Sequence, residues 1–163
     1  MRMHAAFTRG LVLPLVLLSL LATAPLAHAA VWANHSGTIC KNYNAGDVSY
    51  IDYLTYGTRS FKGSATQVIC PLTRNTSNSN GAFVDVDILH LGTQTTSCTA
   101  FSLSPTGSLM GSTGQSWTGS GWHVFAIDLT GIGKSDSRSN YSVLCTIPGN
   151  GLGLVIDLEL VEQ

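Results

Sequence analysis

The chain has 163 residues, eight Lys or Arg, nine Asp or Glu and a formal net charge of −1, so it lacks the basic surplus that nucleic-acid binding requires. Charged residues make up only 10% of the chain, well below the roughly 25% of an average globular protein. Serine and threonine take their place, which is typical of strands whose outer face meets water.

Residues 1–29 have the organisation of a secretory signal peptide. Arg2 and Arg9 give a positively charged n-region before an apolar run, LVLPLVLLSLLA, and Ala27-His28-Ala29 is a small-x-small cleavage site with cleavage after Ala29. The run is short for a membrane span, and Pro14 interrupts it. We therefore expect a secreted protein, extracellular or periplasmic, with no transmembrane segment in its mature chain.

Residues 30–163 are predicted to form a single domain, because this length suits one hydrophobic core and no repeat or linker divides it. Without Arg2 and Arg9, six of the eight basic residues remain against all nine acidic ones. The mature domain is therefore mildly acidic.

The mature chain contains four cysteines: Cys40, Cys70, Cys98 and Cys145. An even number in an exported chain indicates two disulfides rather than thiol or metal chemistry. Four cysteines allow three pairings, and spacing alone does not select among them. We favour Cys40–Cys70 with Cys98–Cys145, since each closes a loop of roughly 30 to 47 residues between neighbouring segments.

The first predicted element of the domain, residues 47–56, is ambiguous. Its tyrosines, Tyr50, Tyr53 and Tyr56, recur at every third position, which would place them on one face of a helix ending at Gly57. The segment is also dense in β-branched and aromatic residues, which favour a strand. We predict a strand.

The segments that follow alternate with a period of two, the pattern of half-buried strands. Val84, Val86 and Ile88 share one face, while Asp85 and Asp87 share the other. Similar alternation covers residues 66–70, 98–103, 122–127, 141–147 and 154–160, where the residues predicted inward in the last run are Leu154, Ile156, Leu158 and Leu160.

Turn sequences separate these runs at 75–81, 105–107, 119–121, 131–133 and 148–151. Many short strands, regular turns and two cross-links predict an all-β fold. We expect an antiparallel β-sandwich of about eight strands, immunoglobulin-like or jelly-roll-like, with two disulfides.

The stretch VICPLTRN, residues 68–75, is interpreted as a fastened strand end. Val68 and Cys70 would face inward, and Pro71 suits a strand end because it donates no backbone hydrogen bond. Arg74 is predicted to form a structural ion pair with Asp85 or Asp87 across the 75–81 loop.

Three cysteine-containing segments carry a family resemblance: VICPLTR, SCTAFS and VLCTIPG. With them the chain resembles small secreted bacterial β-sandwich proteins of unassigned function, in which Cys-Pro-(Ile/Leu)-x-Arg and Cys-x-Ile-Pro segments recur. The resemblance implies the sandwich fold and secretion. It implies no catalytic residue.

Five aromatic residues are candidates for ligand binding: Tyr50, Tyr53, Tyr56, Trp117 and Trp122. Aromatic faces beside polar loops are a common way to hold a sugar ring. The alternative is that Trp122 and one or two of the tyrosines belong to the core, which strand alternation favours. Trp117, beside a Gly-Ser-Gly turn, is the aromatic that we expect to be most exposed.

No catalytic constellation, metal site or cofactor motif is recognisable. Gly114-Gln-Ser-Trp-Thr-Gly119 departs from a nucleophile elbow by one residue, and we expect Ser116 to lie in a loop. The pairs Asp85/Asp87 and Asp157/Glu159 each lie on one side of a strand, which is more typical of a solvated face than of a hydrolase or Ca²⁺ site.

We therefore predict a secreted, non-catalytic extracellular module that binds a polysaccharide or an envelope protein. One alternative is a small secreted hydrolase that uses an acidic pair in a cleft. Another is a protein-binding inhibitor or competition factor, which would present an exposed loop at 75–81 or 131–140.

Overall fold

The computed structural model describes residues 31–75, 81–132 and 139–163; the predicted signal peptide lies outside these ranges. The all-β prediction is confirmed, with nine strands and two short 3₁₀ helices in the described part of the chain. The strands are β1 Val31–Ser36, β2 Lys41–Asn42, β3 Ile51–Leu54, β4 Gly57–Ser60, β5 Thr66–Leu72, β6 Ala82–Leu103, β7 Leu109–Asp128, β8 Asn140–Ile147 and β9 Gly153–Glu162. The 3₁₀ helices are Gly37–Ile39 and Ala45–Tyr50.

A long hairpin of β6 and β7 organises the fold. One edge of β6 pairs with β7 along nearly its whole length, while the other edge pairs first with β9 and then with β8. Between these two pairings the register of the hairpin shifts, at residues His90 to Gln94. The hairpin therefore belongs to two layers, which are connected where it bends.

We call the two layers the front sheet and the back sheet. The front sheet has the order β3-β4-β9-β6-β7, with β1 also paired to β9, and uses the first half of β6 and the second half of β7. The back sheet has the order β2-β5-β8-β6-β7 and uses the other halves of the hairpin. Every pairing is antiparallel, as in the predicted sandwich.

Both disulfides lie inside the back sheet and have the pairing that loop length favoured. Cys98 and Cys145 are directly opposed on β6 and β8. Cys40 precedes β2 and bonds Cys70 of β5. All four residues are buried in the core. Each bridge thus ties two neighbouring strands of one layer rather than one layer to the other.

The alternation predicted for β6 is confirmed, because Val84, Val86 and Ile88 are fully buried. In β9 the prediction for Ile156 is wrong: Ile156 is half-buried, and Val155 is fully buried instead. The cause is a β-bulge, since Asp87 pairs with Asp157 but Ile88 pairs with Val155. An extra residue in one strand reverses the alternation on one side of it.

The strand predicted over residues 47–56 is confirmed only in part. Residues 47–50 belong to the 3₁₀ helix Ala45–Tyr50, and the strand β3 covers Ile51–Leu54. The 3₁₀ helix Ala45–Tyr50 carries the chain from β2 in the back sheet to β3 in the front sheet. Lys62 donates to Asp47 at 2.6 Å, and this hydrogen bond and charge hold the pKa of Asp47 below its ordinary value.

The ion pair predicted between Arg74 and Asp85 or Asp87 is wrong; Arg74 Nε donates instead to Glu162 Oε1, at 2.7 Å. Glu162 ends β9 on its inward face, and only 1% of its side chain is exposed. Its second oxygen accepts the backbone N–H of Asn75, also at 2.7 Å. Asp85 and Asp87 project from the opposite, outer face of the front sheet, away from this pair.

Two predicted loops are partly undescribed. Residues 76–80 and 133–138, which include most of the loop candidates at 75–81 and 131–140, lie outside the described residues. The predicted turn at 119–121 does not interrupt the chain, because β7 continues through it, with Gly121 at φ 91°. Within the described ranges, no helix has the length and apolar character of a membrane span.

Candidate functional site

The five candidate aromatic residues lie in three different places. Tyr50, Tyr53 and Tyr56 are all exposed, on or beside the segment that joins the two sheets. Trp117 and Trp122 both belong to β7, five residues apart, and therefore face opposite sides of the strand. The structure thus does not bring the five residues into a single site.

Tyr53 connects the two open edges of the sandwich. Its hydroxyl accepts the backbone N–H of Asn42 at 3.3 Å, and the ammonium of Lys41 lies 5.0 Å from its ring centroid. β2 and β3 are the last strands of their sheets. Tyr53 therefore has a structural role in closing the fold, although 41% of the residue is exposed.

The expectation for the two tryptophans of β7 is reversed. Trp122, predicted to be core, is 64% exposed on the outer face of the front sheet, opposite Leu89. Trp117, predicted to be exposed, is half-buried against the core. It stacks on His123 with ring centroids 4.4 Å apart and lies 5.0 Å from His90.

The sequence relates the two tryptophans to each other, although it does not specify which of them faces inward. Counted along one continuous strand, Trp117 shares one face with His123, Phe125 and Ile127, and Trp122 shares the other with Val124 and Ala126. The predicted turn at 119–121 hid this relation, because it appeared to separate two independent strands. Ser116, expected in a loop, likewise lies within β7.

His90 fills the inside of the hairpin bend. It is 2% exposed, with Nδ1 at 3.0 Å from the carbonyl of Gly119 and Nε2 at 2.8 Å from the Thr96 hydroxyl. Both ring nitrogens are therefore satisfied, as expected for a packed histidine. Among the described residues, no group of three or more His, Cys, Asp or Glu is arranged to hold a metal ion.

The outer face of the front sheet carries four carboxylates beside Trp122. Asp85 pairs with Glu159 and Asp87 with Asp157 across β6 and β9, so that like charges face each other directly. We call Trp122 and these four acidic residues the front face. The two acidic pairs were apparent in the sequence, but their apposition depends on the strand register and could not be predicted.

The environment of the front face raises the pKa of two of its carboxyl groups. Burial raises the pKa of Asp87, the charge of Asp157 adds to this effect, and a hydrogen bond from Trp122 partly opposes it. Burial and the neighbouring charge of Asp85 likewise raise the pKa of Glu159. Ionisation of these carboxylates therefore opposes folding rather than assisting it.

We expect Asp87→Asn to stabilise the domain at pH 7, by about 0.2–1 kcal/mol, because it removes one of two directly opposed charges. The pKa of Asp87 is raised in the folded state, so folding binds protons to this group and stability falls as pH rises through that pKa. The stability gained by Asp87→Asn should reach its full value above the raised pKa of Asp87. It should vanish below the ordinary pKa of an aspartate. Urea unfolding at pH 3 and pH 7 measures it.

Serine substitution at exposed Thr118, which carries no charge, provides the control for that measurement. Asp87→Asn could instead change the free energy of unfolding by the same amount at pH 3 and pH 7. That result would contradict the charge of Asp87 as the cause of the change.

Two depressions in the described surface lie away from the front face. One, of about 390 Å³, is formed by residues 63–65, 93–95, 148–150 and 152; the other, of about 290 Å³, by residues 97–99 and 114–116. Neither contains a carboxylate. The four acidic residues of the front face instead occupy an open strand surface.

Comparisons with known proteins identify the fold but no family. No family model matches the sequence, and no curated protein matches it. Among solved structures, a family 35 carbohydrate-binding module from Clostridium thermocellum superposes with a TM-score of 0.51 at 12% identity, covering 80% of this chain and 98% of that one. The likeness is one of fold.

Two further solved structures are similar at a lower level. A CBM36-1 domain of a xylanase from the hindgut metagenome of Trinervitermes trinervoides gives a TM-score of 0.48 at 9% identity, over 80% of this chain and 96% of that one. A Podospora anserina GH26-CBM35 β-(1,4)-mannanase gives 0.44 at 9% identity, and 81% of this chain spans only 28% of its length. The resemblance based on the three cysteine segments is untested by these matches and stays a prediction.

Proposed function

We propose that the chain is a non-catalytic extracellular module that binds carbohydrate through the front face. The observation that carries the proposal is the position of Trp122, which is 64% exposed on a flat strand surface next to Asp87. An indole held in this way is costly to leave in water, and it is a suitable platform for the apolar face of a sugar ring.

The carboxylates beside the platform supply the polar contacts that such a ligand needs. Asp87 and Asp157 are acceptors without hydrogens of their own, and a sugar ring presents several hydroxyl donors. Hydrogen bonds to charged acceptors are stronger than those between neutral groups. A sugar stacked on Trp122 would thus be oriented by the carboxylate row of β6 and β9.

The charge of this face also restricts the class of polysaccharide. Four carboxylates on one surface repel a polymer that carries uronic acids or phosphates. We therefore expect neutral glycans to bind in preference to anionic ones. The solved domain with the same fold is named as a carbohydrate-binding module, which agrees with the proposal.

The alternative of a hydrolase is disfavoured by the position of the acids. A glycosidase pair needs one carboxylic acid and one carboxylate on either side of a bond held in a cleft. Here the acidic residues lie on an open sheet surface, and the two described depressions contain none of them. Incubation with soluble polysaccharides, followed by a reducing-sugar assay, should give no release above background.

Extracellular location is part of the proposal. It rests on the predicted signal peptide together with the two disulfides, which persist in oxidising compartments. The test is fractionation of the producing cells, where the mature chain should begin after Ala29 and be found outside the cytoplasm.

We expect Trp122→Ala to weaken binding to an insoluble or arrayed neutral polysaccharide by at least about tenfold, equivalent to 1.4 kcal/mol. The variant should fold normally because its side chain is mostly exposed. Affinity electrophoresis and a glycan array, both with a panel of cell-wall polysaccharides, measure the effect.

Trp32→Ala is the matched control, since Trp32 is 60% exposed on the same sheet. It pairs with Val161, whose β6 partner is Phe83, so it lies roughly 20 Å from the row of Trp122 along the strands. If the native chain bound none of the polysaccharides in the panel, carbohydrate binding would be contradicted. If Trp122→Ala and the native chain bound equally well, the proposal that a sugar ring stacks on Trp122 would be contradicted.

A further inference from the structure

We infer that the depression of about 390 Å³ at the hairpin bend is a second binding site, which accepts a single neutral sugar ring or a similar polyhydroxylated molecule. It is lined by the loop after β4, the bend of β6 and the turn between β8 and β9. This site is distinct from the front face, and none of the five front-face residues belongs to it.

Four polar residues with free side chains line the depression. They are Ser64, Thr93 and Asn150, which are exposed, and Gln94, which is half-buried; within the described ranges no side-chain atom of these four takes part in a hydrogen bond. Thr95 also lines it, although its hydroxyl bonds Thr118 at 2.7 Å. Two amides and two hydroxyls therefore offer both donors and acceptors to whatever occupies the site.

The walls of the depression are held rigidly. The backbone N–H of Asn150 donates to the carbonyl of Lys62 at 2.8 Å, and that of Gly151 donates to Ser60 at 2.7 Å. A Cβ at Gly149 would lie 2.2 Å from the Lys62 carbonyl oxygen, so only glycine allows this close approach. Because the turn is fixed to the neighbouring loop before any ligand arrives, little ordering accompanies binding.

Asn150 is the non-glycine residue with a positive φ in the described backbone, at 57°. Asn150 and Gly151, at φ 71°, are the central residues of a tight turn that the backbone N–H of Leu152 closes by donating to the Gly149 carbonyl at 3.1 Å, and Asn-Gly is a favoured pair for such a turn. The turn therefore holds Asn150 in a defined position at the rim of the depression.

The lining determines the class of ligand. It contains no charged side chain, so an ionic ligand would lose hydration without gaining a counter-charge. Ala65 and Leu152, which are exposed and half-buried, add an apolar surface for the C–H face of a ring. A volume of about 390 Å³ lies near the lower end of the roughly 300–1,000 Å³ of ligand pockets, which suits one ring rather than a chain.

The test is a ¹H–¹⁵N correlation titration of the full mature chain with neutral monosaccharides (glucose, mannose, galactose, xylose and arabinose), alongside glucuronate and glucosamine. At least one neutral sugar should shift the amide signals of Gly63, Gln94 and Gly149 in a saturable manner, and the two charged sugars should shift them at least tenfold less.

Two variants locate the site. Gln94→Ala and Asn150→Gly, the second of which preserves the positive φ, should each weaken binding at these signals at least fivefold. Trp122→Ala should leave sugar binding at the depression unchanged. The experiment therefore tests binding at the depression separately from carbohydrate binding at the front face. The inference is overturned if no neutral sugar shifts these signals, if the charged sugars shift them equally, or if Trp122→Ala abolishes the shifts.

Discussion

Removing both disulfides, by Cys→Ala changes at all four positions, is expected to prevent cooperative folding at 37 °C. Chain entropy gives about 3.6 kcal/mol for a loop of 30 residues and about 4.0 kcal/mol for one of 47 residues, which are the separations of Cys40–Cys70 and Cys98–Cys145. Their sum is comparable to the roughly 5–15 kcal/mol by which domains are stable. Urea unfolding followed by circular dichroism measures the change.

The two double variants provide the comparison. Cys98→Ala/Cys145→Ala should lose slightly more stability than Cys40→Ala/Cys70→Ala, because its loop is longer and because it joins β6 to β8 in the middle of the back sheet. Cooperative unfolding of the chain with four alanines, at a midpoint close to that of the native chain, would contradict the prediction. So would an alkylatable thiol in the native exported protein.

Glu162→Gln is expected to destabilise the domain by about 3–5 kcal/mol, because it removes the negative charge that the buried guanidinium of Arg74 faces. Arg74 and Glu162 side chains are 9% and 1% exposed, with 2.7 Å between Nε and Oε1. Arg74 also donates to the Ser139 hydroxyl at 2.7 Å. The pair thus fixes the end of β9 to the segment after β5 and to the start of β8.

The matched control for this measurement is Asp52→Asn, which removes the Arg59–Asp52 ion pair. That pair is 3.0 Å long but its side chains are 25% and 40% exposed, so the loss should stay below about 1 kcal/mol. A double variant, Arg74→Leu with Glu162→Leu, should be more stable than Glu162→Gln, since no uncompensated buried charge is left. If Glu162→Gln and Asp52→Asn lowered the free energy of unfolding equally, burial would not determine the contribution of the Arg74–Glu162 pair to stability.

Both proposed binding sites adjoin the hairpin bend. Trp122 follows Gly121, where β7 bends with φ 91°, and Gln94 marks the return of regular pairing in β6. His90 and Trp117 pack on the inner side of the same bend. Substitutions that loosen this packing should therefore disturb both sites together, whereas Trp122→Ala and Gln94→Ala should affect them separately.

The sequence by itself determined the fold class and the sulfur chemistry of this protein. Alternation along β6 and β8 depends only on the two-residue period of a strand, and the parity of four cysteines limits what they can do. Both are local properties of the chain, and they survive whatever the strands pack against.

Tertiary structure alone decided which residues meet. The bulge beside Ile156 arises in the pairing of β9 with β6, and Arg74 meets Glu162 although the two are 88 residues apart in the chain. Trp122 is outward because β7 passes through its bend without interruption. Register, bulges and bends depend on how several strands pair with one another. The alternation of side chains along one strand therefore does not specify them.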